Sequence, residues 1–132
     1  MGQFKINPEP CSSCPYRRDT PPGIWDREEY DKLPAWDDEK NMAAGAFLCH
    51  QGQRQFLCRG WSEVHHRNWA VRIALLQCAP PPGGWKPCAA PLYETGAKAR
   101  LAGLRGIKKP GKAARQTIAK LIKARAEKGV DS

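Results

Sequence analysis

The chain of 132 residues has room for one domain, and its 12 Gly and 12 Pro make about 18% of it, against roughly 12% in an average protein. A core built from 41% hydrophobic residues and so many turn formers is small and loop-rich, so another source of order is expected. No apolar run approaches the roughly 18 residues of a membrane span, and MGQFKINPEP lacks the apolar stretch of a secretory leader; a cytoplasmic protein with no membrane partner is expected.

The formal net charge is +9, and residues 1–85 contribute none of it, since ten Lys and Arg there balance ten Asp and Glu. Residues 86–132 hold twelve Lys and Arg against Glu94, Glu127 and Asp131. The expected organisation is a neutral Cys- and Trp-bearing body over 1–85 and a basic C-terminal arm over 86–132. Such an arm suits a polyanion, because each cation that neutralises a phosphate releases condensed counterions. The alternative is a solvated tail that maintains solubility or meets a host protein partner.

In chain order, Pro8, Pro10 and Pro15 make the Cys11–Cys14 segment a tight knuckle, neither helix nor central strand. Asp26 is positioned to cap a short helix to about Leu33, stopped by Pro34, with a loop over residues 35–46. Two Phe-Leu-Cys triplets, 47–49 and 56–58, flank a Gly-bearing connection and predict a short hairpin. Ser62 is a suitable N-cap for a helix to about Gln77, with Val64, Val71 and Leu75, and also Trp69, Ile73 and Leu76, at helical spacing. Trp25, Trp61 and Trp69 are expected in the core, and Trp36 and Trp85 at the surface. A last helix is expected over 112–128, with Ala114, Ile118, Leu121 and Ile122 as a narrow apolar stripe. The fold class is therefore α+β: a small, loop-rich, metal-stabilised domain with a hairpin and a packed helix, extended by a basic helix.

The sharpest chemical signal is Cys11-x2-Cys14, a spacing that turns two thiolates toward one ion. Cys49 and Cys58, brought together by the hairpin, would complete four ligands. Six cysteines in a reducing compartment read as ligands or free thiols, not as disulfides. His50 is a rival ligand, but neighbours in a strand face opposite ways, which favours a role behind the thiolates. Cys78 and Cys88 are expected as buried or free thiols. Four thiolates suit Zn2+, which contributes folding free energy. They also suit a [4Fe-4S] cluster in a redox or sensor protein, an alternative that Cys14-Pro15 keeps open.

The ordered motifs Cys11-x-x-Cys14-Pro15-Tyr16-Arg17-Arg18-Asp19-Thr20-Pro21-x-Gly23-x-Trp25, Tyr30-x-x-Leu33, Phe47-x-Cys49-His50 and Cys58-x-Gly60-Trp61, with Val64-His65 behind, resemble a family of small uncharacterised Cys-rich proteins of actinobacteria and their phages. The resemblance covers roughly residues 10–77. It implies that the four cysteines act as one set, and that His65 joins His50 as an alternative ligand or supporting residue. It carries no activity.

An enzyme is not favoured. Glu63, His65, His66 and Asn68 invite comparison with His-Asn nucleases, but they crowd into one helix on which the two histidines point about 100° apart. A binding module is the stronger reading. It would meet nucleic acid or a ribonucleoprotein through Arg100, Arg105, Lys108, Lys109, Lys112, Arg115, Lys120, Lys123, Arg125 and Lys128.

Overall fold

A computed structural model describes residues 4–49, 55–107 and 111–127. Two short strands, β1 (Lys5–Ile6) and β2 (Phe56–Leu57), pair in parallel, with Ile6 opposite Leu57. Around them lie five helices: α1 (Arg27–Asp31), α2 (Arg59–Val64), α3 (Trp69–Leu76), α4 (Gly96–Arg105) and α5 (Lys112–Glu127). A 3-10 turn over Leu33–Asp37 follows α1. The described residues form a small, loop-rich α+β fold.

The Phe-Leu-Cys triplets meet through an antiparallel bridge between Leu48 and Leu57. Cys49 N–H donates to Phe56 O and Cys58 N–H to Phe47 O, each at 2.9 Å. The second triplet thus bonds on both edges, to β1 and to the first triplet.

The helix expected over 62–77 is two helices. Asn68 interrupts it, because its side-chain oxygen accepts from the Ala70 and Val71 amides and starts α3 afresh. Its amide Nδ2 donates to the carbonyls of Trp36, Asp38 and Asn41, at 3.2, 2.9 and 3.2 Å. The cap of α2 is Cys58, not Ser62; the Ser62 hydroxyl lies inside α2 and donates to Arg59 O. Near the N-terminus, α1 stops at Asp31 and Pro34 sits within the 3-10 turn that follows, since proline's fixed φ is tolerated in a first turn.

Splitting that helix also changes which tryptophans are covered. Trp25, Trp36 and Trp61 are buried, with Trp36 at 5.2 Å from Phe47 and 5.8 Å from Trp61 between ring centres. Trp69, Ile73 and Leu76 instead form an exposed face of α3, whose buried side is Ala70, Val71 and Ala74. Trp36 and Trp69 have therefore exchanged the places expected of them.

Residues 86–107 of the expected arm are packed on the body. Ala89 and Ala90 amides donate to Glu9, and Leu92 bridges to Arg17. The α4 helix lies across α1 and the 3-10 turn. A Cβ on Gly96 would fall on the Leu33 carbonyl, and one on Gly103 on the Tyr30 ring, so only glycine allows this approach. In α5, Ala114 is buried and Ile118 and Leu121 are half-buried against the core, while Ile122 is exposed.

Candidate metal centre

The knuckle is a turn closed by Cys14 N–H donating to Cys11 O at 3.0 Å, and continued by Arg17 N–H to Cys14 O. Carbonyls in and just before it are taken by side chains from the next eleven residues. Arg17 Nη1 donates to Pro10 O, Thr20 Oγ1 to Ser12 O, and Trp25 Nε1 to Ser13 O at 2.7 Å. Asp19 holds the Arg17 guanidinium with both oxygens, at 2.7 and 2.8 Å. The pKa of Arg17 is raised and that of Asp19 lowered by this mutual hydrogen bonding. These braces make the knuckle a preformed loop, which lowers the entropy cost of holding an ion.

Cys58 reaches the knuckle from the start of α2. Its Sγ accepts from Trp61 N–H at 3.4 Å and lies 3.7 Å from Cys14 Sγ. Gly60, two residues on, permits this: a Cβ there would stand 2.6 Å from Cys14 Sγ and 2.9 Å from Tyr16 Cβ. Cys49, at the end of the first triplet, lies 3.9 Å from Cys11, sulfur to sulfur. The four expected cysteines are thus drawn into one region as two pairs, each joining the knuckle to the Phe-Leu-Cys ladder. Burial first, then the neighbouring Cys14 thiol, pushes the Cys58 thiol well above its ordinary pKa. A cation is the partner that would reverse this, since only the thiolate is a good metal ligand.

Four thiolates are, by their chemistry, a donor set for a soft or borderline ion. With a Zn–S distance of about 2.3 Å, the edge of a tetrahedron of sulfurs is about 3.8 Å, the separation both pairs already have. Among the described residues, no three His, Cys, Asp or Glu side chains are gathered about one point.

His65 does not face the sulfurs. Its Nε2 lies 2.9 Å from Tyr16 Oη and its Nδ1 3.5 Å from Asp37 Oδ1. Burial lowers its pKa to about 4, so the ring is neutral. With the proton on Nδ1, toward Asp37, Tyr16 Oη–H donates to Nε2. Asp37 in turn accepts from the Gly96 and Ala97 amides at the start of α4. This chain of contacts links the residue two after Cys14 to the α4 helix. His66 is exposed, its Nδ1 3.0 Å from Glu63 O, so the two histidines share no site.

Arg59, next to Cys58, is almost fully buried. Its Nε donates to Cys88 Sγ at 3.1 Å and its Nη2 to Glu63 and to Lys86 O, both at 2.7 Å. The Trp85 ring covers it at 5.5 Å. Cys88 and Cys78 are both half-buried, and burial raises both pKa values.

Of the expected basic contacts, Arg100 is bonded to Asp31 at 2.8 Å. Arg105 is exposed at the end of α4, and Lys112, Arg115, Lys120 and Lys123 are exposed along α5. Arg125 falls within α5; Lys108, Lys109, Lys128 and His50 lie outside the described residues. No helix among the described residues is long and apolar enough to cross a membrane.

A family model described as a family of unknown function (DUF6283) matches residues 6–125. The chain belongs to the DUF6283 family. The DUF6283 span is longer than the motif-bearing stretch 10–77 and takes in Cys78, Cys88, α4 and most of α5. The DUF6283 match thus extends over most of the basic helix. No curated protein and no solved structure matches the chain.

Reading the cysteines alone misses the braces Arg17, Thr20 and Trp25, and Gly60. Their signal was present, since all four occupy positions of the ordered motifs that surround Cys11, Cys14 and Cys58.

Proposed function

We propose that this is a non-enzymatic, metal-stapled binding protein that contacts nucleic acid, or a nucleic-acid machine, through α5. The observation that carries the reading is the distribution of cations. Arg17 and Arg59 in the body and Arg100 on α4 are each paired with a carboxylate, while Lys5, Arg18, Lys40, Arg67 and Arg72 form no ion pair among the described residues. On α5, Lys112, Lys120 and Lys123 lie away from the Ala114, Ile118 and Leu121 stripe and Arg115 flanks it; all four are exposed, and none forms an ion pair among the described residues. A helix that docks by one face and leaves several cations exposed is suited to phosphates.

The ion that suits the four sulfurs is Zn2+, held by Cys11, Cys14, Cys49 and Cys58. The sulfur separations favour one ion over a [4Fe-4S] cluster, which places each cysteine on a different iron and so spreads the sulfurs further apart. Four reduced thiols also suit the cytoplasm.

Binding to a labelled DNA duplex and to single-stranded RNA is measured by fluorescence anisotropy over a range of salt. Changing Lys112, Arg115, Lys120 and Lys123 together to Gln is expected to weaken binding and reduce the log–log salt slope on the duplex by about 3–4. Equal binding by the two proteins, on both nucleic acids, overturns the reading. Elemental analysis is expected to find one zinc per chain in colourless protein. Brown protein absorbing near ~400 nm overturns the zinc assignment in favour of the cluster.

A further inference from the structure

The four thiols form two unlike halves. Cys14 and Cys58 are sealed beneath Gly60 and α2, at 0% and 4% exposure, whereas Cys11 and Cys49 are half-buried and reach solvent. Within the knuckle the two cysteines diverge. Cys14 points inward to Cys58, and Cys11 lies beside Ser13 Oγ and Cys49 Sγ, at 3.7 and 3.9 Å. The partner that each knuckle sulfur meets on the ladder is 38 or 44 residues away.

We propose that Cys11 and Cys49 are a thiol-oxidation site, which a hydroperoxide closes to a disulfide before Cys14 and Cys58 react, releasing the metal ion. This rests on the metal reading above. One thiolate of the exposed pair attacks the peroxide O–O bond. An S–O bond forms, the O–O bond breaks, and the leaving oxygen takes up a proton as water or an alcohol. The second thiol then attacks the sulfenic sulfur; the S–S bond forms, the S–O bond breaks, and a molecule of water departs. The two sulfurs lose two electrons and the peroxide gains them. The ion, left with the two buried sulfurs, loses half its ligands and dissociates.

Exposure decides the order, because the oxidant must reach a sulfur before any pair can close. Geometry decides the pairing: Cys11 and Cys49 need to close only from 3.9 Å to about 2.05 Å, whereas Cys11 and Cys14 face different partners. The C-x2-C spacing by itself would have suggested a disulfide within the knuckle.

The experiment begins with metal content, which tests the metal reading separately. Full-length reduced protein, as isolated, is then treated with hydrogen peroxide beside a chromogenic zinc chelator, its remaining thiols are alkylated, and tryptic peptides are mapped by mass spectrometry. Trypsin leaves Cys11 and Cys14 on residues 6–17, Cys49 on 41–54 and Cys58 on 55–59. The expected first product links 6–17 to 41–54 through Cys11, with Cys14 and Cys58 alkylated, metal released in step with the link, and both reversed by dithiothreitol and added zinc. A first link between Cys11 and Cys14 or between Cys14 and Cys58, or oxidation of Cys11 and Cys49 to sulfinic acids without a link, overturns the proposal. So does metal release that precedes the link. Protein isolated without metal and unable to take up zinc overturns the metal reading and the release step, while its peptide map still decides the pairing.

Discussion

Gly60 lies against Cys14 so closely that a methyl group on its Cα would sit 2.6 Å from the cysteine sulfur. Neither neighbour has room to yield, since Cys14 and Tyr16 are both fully buried. Gly60→Ala is therefore expected to destabilise the fold by about 1–3 kcal/mol, the usual cost of overpacking, and to separate Cys14 from Cys58. Urea denaturation measures the first effect and zinc affinity the second. An unchanged midpoint would show that α2 can shift away from the knuckle without loss.

Trp25 Nε1 donates to Ser13 O from a buried indole, fixing the loop between the two knuckle cysteines. Trp25→Phe keeps most of the volume and removes the donor. It is expected to lower zinc affinity about 10–100-fold, the range for residues that orient ligands from behind. Competition against a chelator of known affinity reads this directly, and Thr20→Val, which frees Ser12 O, is expected to act in the same direction.

The buried neutral His65 makes stability depend on pH. Its pKa is lowered to about 4 by burial, against about 6.5 in the unfolded chain. The unfolded state thus binds the proton more readily, so stability is full above pH 6.5 and falls as pH drops toward 4, by up to about 3 kcal/mol from this group. His65→Gln, compared with the parent at equal metal loading, is expected to flatten the part of the curve between pH 6.5 and 5. If the two curves stay parallel there, His65 is not the titrating group.

Asn68 satisfies five backbone groups, two amides of α3 and three carbonyls of residues 36–41. Asn68→Ala takes that partner from all five, the Trp36 carbonyl and the two α3 amides being bonded in buried positions, and removes a helix cap. A loss of about 2–4 kcal/mol is expected from thermal or urea unfolding. Asn68→Asp restores the cap acceptors but not the amide donor, and is expected to recover only part of it.

What could be read in the chain was what neighbouring residues decide. The knuckle follows from Pro10, Cys11, Cys14 and Pro15, the antiparallel contact from two Phe-Leu-Cys triplets, and α5 from the period of Ala114, Ile118 and Leu121. The division at Asn68 was not legible, because apolar spacing runs across it while the carbonyls that hold its amide come from a turn about thirty residues earlier. For the same reason Trp36 and Trp69 could not be sorted into inside and outside: which indole is covered depends on where α2 and α3 bend.

The local sequence, then, determined which residues are candidates for the chemistry: four thiols at fixed spacings and a cationic helix with one apolar side. Only the tertiary structure decided their arrangement, matching Cys11 with Cys49 and Cys14 with Cys58, burying one pair and leaving the other in reach of solvent, and seating residues 86–107 on the body. The reason is physical. Backbone spacing and hydrophobic period act over a few residues, whereas burial and sulfur pairing depend on segments that meet only when the chain is packed.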